Sequence, residues 1–127
     1  MKKLLLKFLL IGVLTVTGCC SGGAGGSSVI HGMVMHHEAM IPNTTIYIKY
    51  KAKELPSTDV SKYDAHVQAG SDAMYTVSGL ECGDYYLYGV GIDPSLIAPD
   101  NIVKGGVHVK ITKDGTTTET DVFVTED

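Results

Sequence analysis

The chain has 127 residues, ten lysines against fourteen carboxylates and a formal net charge of −4. It contains no arginine, and an acidic chain without the guanidinium fork is poorly suited to nucleic-acid or phosphate recognition. Tryptophan is absent too, which weakens a sugar-stacking reading, although seven tyrosines could partly substitute.

Lys2, Lys3 and Lys7 flank a short apolar run from Phe8 to Val16, followed by Val16-Thr17-Gly18-Cys19. This is a positive n-region, an h-region too short to span a bilayer, and a small residue before a cysteine. The ending resembles the lipobox of bacterial lipoproteins, which are cut immediately before a diacylated cysteine. The resemblance implies that residues 1–18 are a lipoprotein signal peptide and that Cys19 is the lipid (palmitate) attachment site. The chain would then reach the membrane through its lipid and reside in the cell envelope. Cys20, rather than Asp, after the lipidated residue implies the outer membrane. The mature chain would have 109 residues and a charge of −7, enough for one domain. Cys20 and Cys82 could pair in an oxidising compartment, but the bond would tie a flexible tether to the domain. The expectation is therefore an unpaired Cys82. No second cysteine lies at metal-ligand spacing.

Residues 19–28 read as the lipidated cysteine and a Gly/Ser linker, since Ser21-Gly-Gly-Ala-Gly-Gly-Ser-Ser28 offers nothing to bury. From 29 to 127 the pattern is that of short strands. Ile30, Gly32 and Val34 alternate with His31, Met33 and Met35. After a Pro42-Asn43 turn, Ile46, Ile48, Tyr50 and Ala52 alternate with Tyr47, Lys49, Lys51 and Lys53. Pro56 to Asp59 opens a longer connection with a single helical turn capped by Ser57 or Thr58. Strands are expected at His66–Ala69 and Met74–Val77, joined by Gly70-Ser71-Asp72. The run Tyr85–Ile92 is apolar or aromatic on both faces, as in a central strand. A loop from Asp93 to Gly106 follows, then a strand with Val107, Val109 and Ile111. Asp114-Gly115 signals a hairpin into a final strand through Val122 and Val124. Seven strands and no full-length helix predict an all-β, Greek-key β-sandwich.

Three stretches carry a further resemblance. They are Ile30-His31-Gly32-Met33-Val34 with Ile41-Pro42-Asn43-Thr44-Thr45-Ile46-Tyr47-Ile48, then Met74 to Leu87, and the closing strands from Val107 to Thr125. Together they resemble the carboxypeptidase regulatory-like domain, a prealbumin-like (transthyretin-like) sandwich. In the second stretch Leu80 can plug the core, Gly83 can permit a tight reversal, and the Tyr85 hydroxyl can bond back to the turn. The Gly70–Ala73 turn and the length of the Asp93–Gly106 loop depart from the family pattern. The resemblance implies an accessory module and carries no catalytic residue onto this chain.

The most chemical cluster is His36-His37-Glu38, with His31 nearby and His108 on a later strand. Histidines and a carboxylate make a metal site only when they converge, and neighbours on a strand normally face opposite sides. No metal ligand and no cofactor is therefore assigned. Asp59, Asp64, Asp72, Asp84, Asp93 and Asp100 read as turn residues rather than a calcium set, because no Asp-x-Asp-x-Asp run occurs. An intradiol-dioxygenase-like iron site lacks its His-x-His pair. Leu96, Ile97, Ala98, Ile102 and Val103 are expected to close one open end of the sandwich. The reading is a lipid-anchored envelope protein, not an enzyme, that binds or scaffolds an envelope protein or glycan and no nucleic acid. The alternative is a metal-binding or metal-dependent protein using His31, His36, His37 or His108.

Overall fold

A computed structural model describes residues 20–126, so the expected signal peptide and the expected lipid attachment site, Cys19, lie outside the described residues. Nine strands form two sheets: β1 (Ala24–His36), β2 (Ala39–Met40), β3 (Thr45–Tyr50), β4 (Ala65–Gln68), β5 (Met74–Leu80), β6 (Gly83–Ile92), β7 (Ile102–Ile111), β8 (Thr117–Glu119) and β9 (Val122–Phe123). The two-sheet, all-β architecture is as predicted; the count among the described residues is nine rather than seven. The extra strands are the two-residue β2 and the division of the closing segment into β8 and β9.

β1 organises the first sheet by using both of its edges. Ile30 pairs with Val77 of β5 on one side and with Thr118 of β8 on the other. Further along, Met35 pairs with Met40 of β2 and with Phe123 of β9. Both β8 and β9 run parallel to β1. The Asp114-Gly115 signal therefore does not make a hairpin. The chain leaves β7 in the second sheet, crosses the sandwich and joins β1. The turn is fixed by tertiary bonds: the Cys82 amide donates to Asp114 and the Gly115 amide donates to Ser28. The second sheet, β4-β3-β6-β7, is antiparallel throughout.

Alternation places Ile30 and Val34 of β1, Ile46 and Ile48 of β3, Tyr85 and Leu87 of β6, and Val103 and Ile111 of β7 in one buried core. Val122 and Val124 close it at the edge. There the Val124 amide donates to Met35, while Thr125 exchanges backbone bonds with Lys104 of β7. The closing strand thus joins the two sheets.

For the described part of the expected 19–28 linker, residues 20–28, the flexible reading is corrected. β1 begins at Ala24, and Gly22 donates to the Cys82 carbonyl while Glu81 donates to that of Gly23. At Gly26 a Cβ would run into the Leu80 backbone, so this glycine serves close approach, not flexibility. The unpaired-thiol expectation is corrected as well: Cys20 and Cys82 form a disulfide with Cα atoms 4.6 Å apart. A tether docked along β5 has its cysteine in bonding reach.

The long loop is shorter than expected, because β7 starts at Ile102 rather than after Gly106. Gly105 and Gly106 belong to the strand, where the Phe123 carbonyl and the Tyr86 ring leave no space for side chains. Of the loop residues, Leu96 packs on the core and Ile97 stays 86% exposed. The single turn in the β3–β4 connection is a 3-10 turn, Val60–Lys62, and its cap is Asp59 rather than Ser57 or Thr58.

Candidate functional site

The sandwich has two chemically different ends. β6 runs the length of the second sheet, about 30 Å for ten residues. Gly83 stands at the end that carries the disulfide, and Ile92 at the end that carries His36. At the disulfide end the turn residues foreseen for the 80–85 stretch act as expected. Leu80 is buried, Gly83 takes a φ of 144°, and the Tyr85 hydroxyl donates to the Glu81 carbonyl at 2.5 Å. That hydroxyl also accepts from the Gly23 amide at 2.8 Å, which locks the N-terminal segment against the turn.

At the opposite end, His36 terminates β1 on the inward face, continuing the parity of Ile30, Gly32 and Val34. Its side chain is 5% exposed. Nδ1 lies 2.6 Å from Asp93 Oδ2, and Asp93 is itself held by the Ser95 amide at 2.8 Å and the Ser95 hydroxyl at 2.6 Å. These bonds hold the Asp93 carboxyl well below its ordinary range, at about 2, so it stays an acceptor. Nδ1 therefore carries a proton, and Nε2 is the nitrogen on the side of Glu126. The hydrogen bond to Asp93 raises the His36 pKa against the opposing effect of burial.

Nε2 faces Glu126 Oε2 at 2.5 Å, so the imidazole lies between two carboxylates. Glu126 reaches this position because it follows Val122 and Val124 at period two, in the segment that continues from β9. Its pKa is lowered, first by its own backbone amide and then by His36. His37 breaks the alternation. Its φ of 53° turns the chain so that its ring sits 4.3 Å from that of His36 instead of on the opposite face. Donor atoms of His36, His37 and Glu126 all lie within 4.8 Å of one another.

The structure thus brings together two of the four histidines named from the sequence. His31 instead bonds Thr76 across β1 and β5, and His108 bonds Asp84 across β7 and β6. Asp59, Asp64 and Asp72 are engaged in separate turn bonds. Glu126 and Asp93 escaped the sequence reading as partners of His36. Parity along the closing strand was the signal for Glu126; Asp93 had none beyond its place after β6.

A His–Asp pair serves hydrolases when a serine faces the far nitrogen. Here Ser95 lies on the Asp93 side and a carboxylate faces Nε2, so the pair activates no nucleophile among the described residues.

A second surface lies on the outer face of β3-β6-β7. Tyr63 stacks on Tyr88 at 5.8 Å and contacts Tyr47 at 6.0 Å, covering the middle of β6. That cover explains why β6 reads as apolar on both faces. Beside it, Tyr86 lines an open groove with Leu55, Thr58, Lys104 and Gly106.

No protein-family model matches the chain, and no curated protein matches it significantly. Among solved structures it is similar to a Pseudomonas aeruginosa protein provisionally described as carbohydrate-binding. The TM-score is 0.55 at 10% identity, covering 81% of this chain and 92% of that one. It is also similar to a DUF3823 family protein from Parabacteroides merdae, with TM-score 0.49 and 17% identity, covering 80% of this chain and 47% of that one. A third is the group B streptococcus pilus 2b backbone protein, with TM-score 0.44 and 17% identity over 80% of this chain and 41% of that one. The first likeness supports the sandwich fold and says nothing of chemistry.

Proposed function

We propose that this chain is a lipid-anchored, prealbumin-like β-sandwich of the cell envelope with a non-catalytic binding role. The observation that carries the proposal is the Cys20–Cys82 disulfide, one residue from the lipobox-like Cys19. Such bonds persist in oxidising compartments, which is where the N-terminal signal directs the chain. In this reading Cys19 bears the lipid and Cys20 after it favours the outer membrane. The bound partner is an envelope glycan. The half-buried Tyr86 ring and its groove with Thr58 and Lys104 offer an apolar face flanked by polar groups, as a sugar ring requires. The fold likeness to a protein provisionally described as carbohydrate-binding agrees with that choice.

Palmitate labelling in cells tests the anchor. Cys19→Ser is expected to abolish labelling and release or leave uncleaved the protein; continued labelling would show another residue to be the site. Titration of envelope polysaccharide fragments against wild type and Tyr86→Ala tests the partner. A loss of about tenfold is expected from removing one stacking ring. Equal binding by both would move the glycan off this face, and no binding by wild type would refute the glycan.

A further inference from the structure

We propose that His36, His37 and Glu126 form a mononuclear site for a divalent transition-metal ion, zinc foremost, with Asp93 as the positioning carboxylate behind His36.

The donor set is two imidazoles and a carboxylate, the mixture that zinc and its borderline neighbours take in four-coordinate sites with one open position. The donors already lie within 4.8 Å of one another. Zinc bonds of 2.0–2.1 Å would set them about 3.4 Å apart, so Glu126 must retreat from His36 by about an ångström and His37 must adjust to the ion. The two side chains that must move are the accessible ones: Glu126 is 48% exposed and His37 is exposed. His36 and Asp93 are 5% and 3% exposed and fixed by the Ser95 bonds. The site has one rigid ligand and two adjustable ones.

The setting of His36 also suits a ligand. His36 Nε2 is buried and directed at the Glu126 carboxylate, the second donor of the set. Its other nitrogen is committed to a carboxylate, the arrangement by which metal-binding histidines are oriented and made more basic. A purely structural role for His36, as a cation between Asp93 and Glu126, would not need a second imidazole beside it. His37 is held there by a left-handed backbone conformation that histidine adopts only at a cost.

The test uses the full chain without a histidine tag, freed of metal and titrated with Zn²⁺ in competition with a chromophoric chelator. One equivalent is expected to bind. His37→Ala and Glu126→Gln, at exposed positions that leave the core intact, should each weaken binding at least about tenfold. Asp93→Asn should weaken it about 10–100-fold, the usual cost of removing such a supporting carboxylate. His31→Ala and His108→Ala should leave it unchanged. Co²⁺ in place of zinc should give tetrahedral ligand-field absorption that His37→Ala abolishes. Absence of stoichiometric binding by wild type, or wild-type affinity in both the His37 and Glu126 variants, would overturn the site. So would equal losses in the His31 and His108 variants. These readouts share no residue with the palmitate and glycan experiments, so either proposal can fail alone.

Discussion

Tyr85 joins two parts of the chain that are far apart in sequence. Its ring meets Tyr50 edge-on at 5.8 Å, and its hydroxyl serves Glu81 and Gly23 together. Tyr85→Phe keeps the ring packing and leaves the Gly23 amide without its acceptor. The expected cost is about 1–3 kcal/mol in denaturant unfolding. Hydrogen exchange should accelerate at Gly22–Ser27 and stay unchanged across β6–β7; acceleration spread evenly over the sandwich would contradict the clasp. Gly26→Ala should destabilise for the opposite reason, because its methyl group has no place beside Leu80. About 1–3 kcal/mol is expected from such overpacking, read from the same unfolding curves. The two residues differ in how legible they were. The role of Tyr85 followed from a local spacing, Leu80 to Gly83 to Tyr85. Gly26 did not, since a glycine that flexes and a glycine that permits close contact are the same letter.

Among the strands, alternation revealed more than it was asked to. Period two set Ile30, Gly32 and Val34 of β1 inward, and the same count continued one step places His36 inside. Only the next residue escapes the rule, because the left-handed His37 ends the strand. What strand patterns could not reveal is which sheet receives a strand. Asp114-Gly115 is a sound local turn signal, yet β8 pairs in parallel with β1, a choice made by the core and by Ser28. Pairing between β6 and β7 also carries a pH consequence. Asp84 bonds His108 at 2.8 Å, and that bond lowers the Asp84 pKa. A carboxyl depressed in the folded state contributes stability above its unfolded pKa, about 3.9, and loses it as pH falls through the lower folded value. Thermal melts from pH 7 down to pH 2 should show wild type above Asp84→Asn at neutral pH and the two converging below about pH 4. A constant gap across that range would remove Asp84 from the acid response.

At the scale of the molecule, the disulfide would decide how a sandwich anchored through Cys19, as proposed, stands on a lipid surface. With a free linker of eight residues the domain would wander roughly 15 Å from its anchor in any orientation. The docked segment leaves no such freedom. Cys20 is bonded to Cys82, Gly22 and Gly23 are clamped, and a lipid on Cys19 would be a single residue from the folded body. The turn around Asp114 would then face the bilayer, and the His36 end would stand about 30 Å away, the length of β6. A fluorophore introduced at Lys113, in that turn, should be quenched by headgroup-labelled lipid in vesicles carrying the acylated protein. One at Ile97, on the exposed loop at the opposite end, should not. Cys82→Ser should reduce the contrast between the two positions and lower unfolding stability by about 2–4 kcal/mol, the usual worth of a bond closing a long loop. Equal quenching at Lys113 and Ile97 in wild type would mean that the domain lies on its side or swings. The proposed metal site would then no longer be held away from the bilayer.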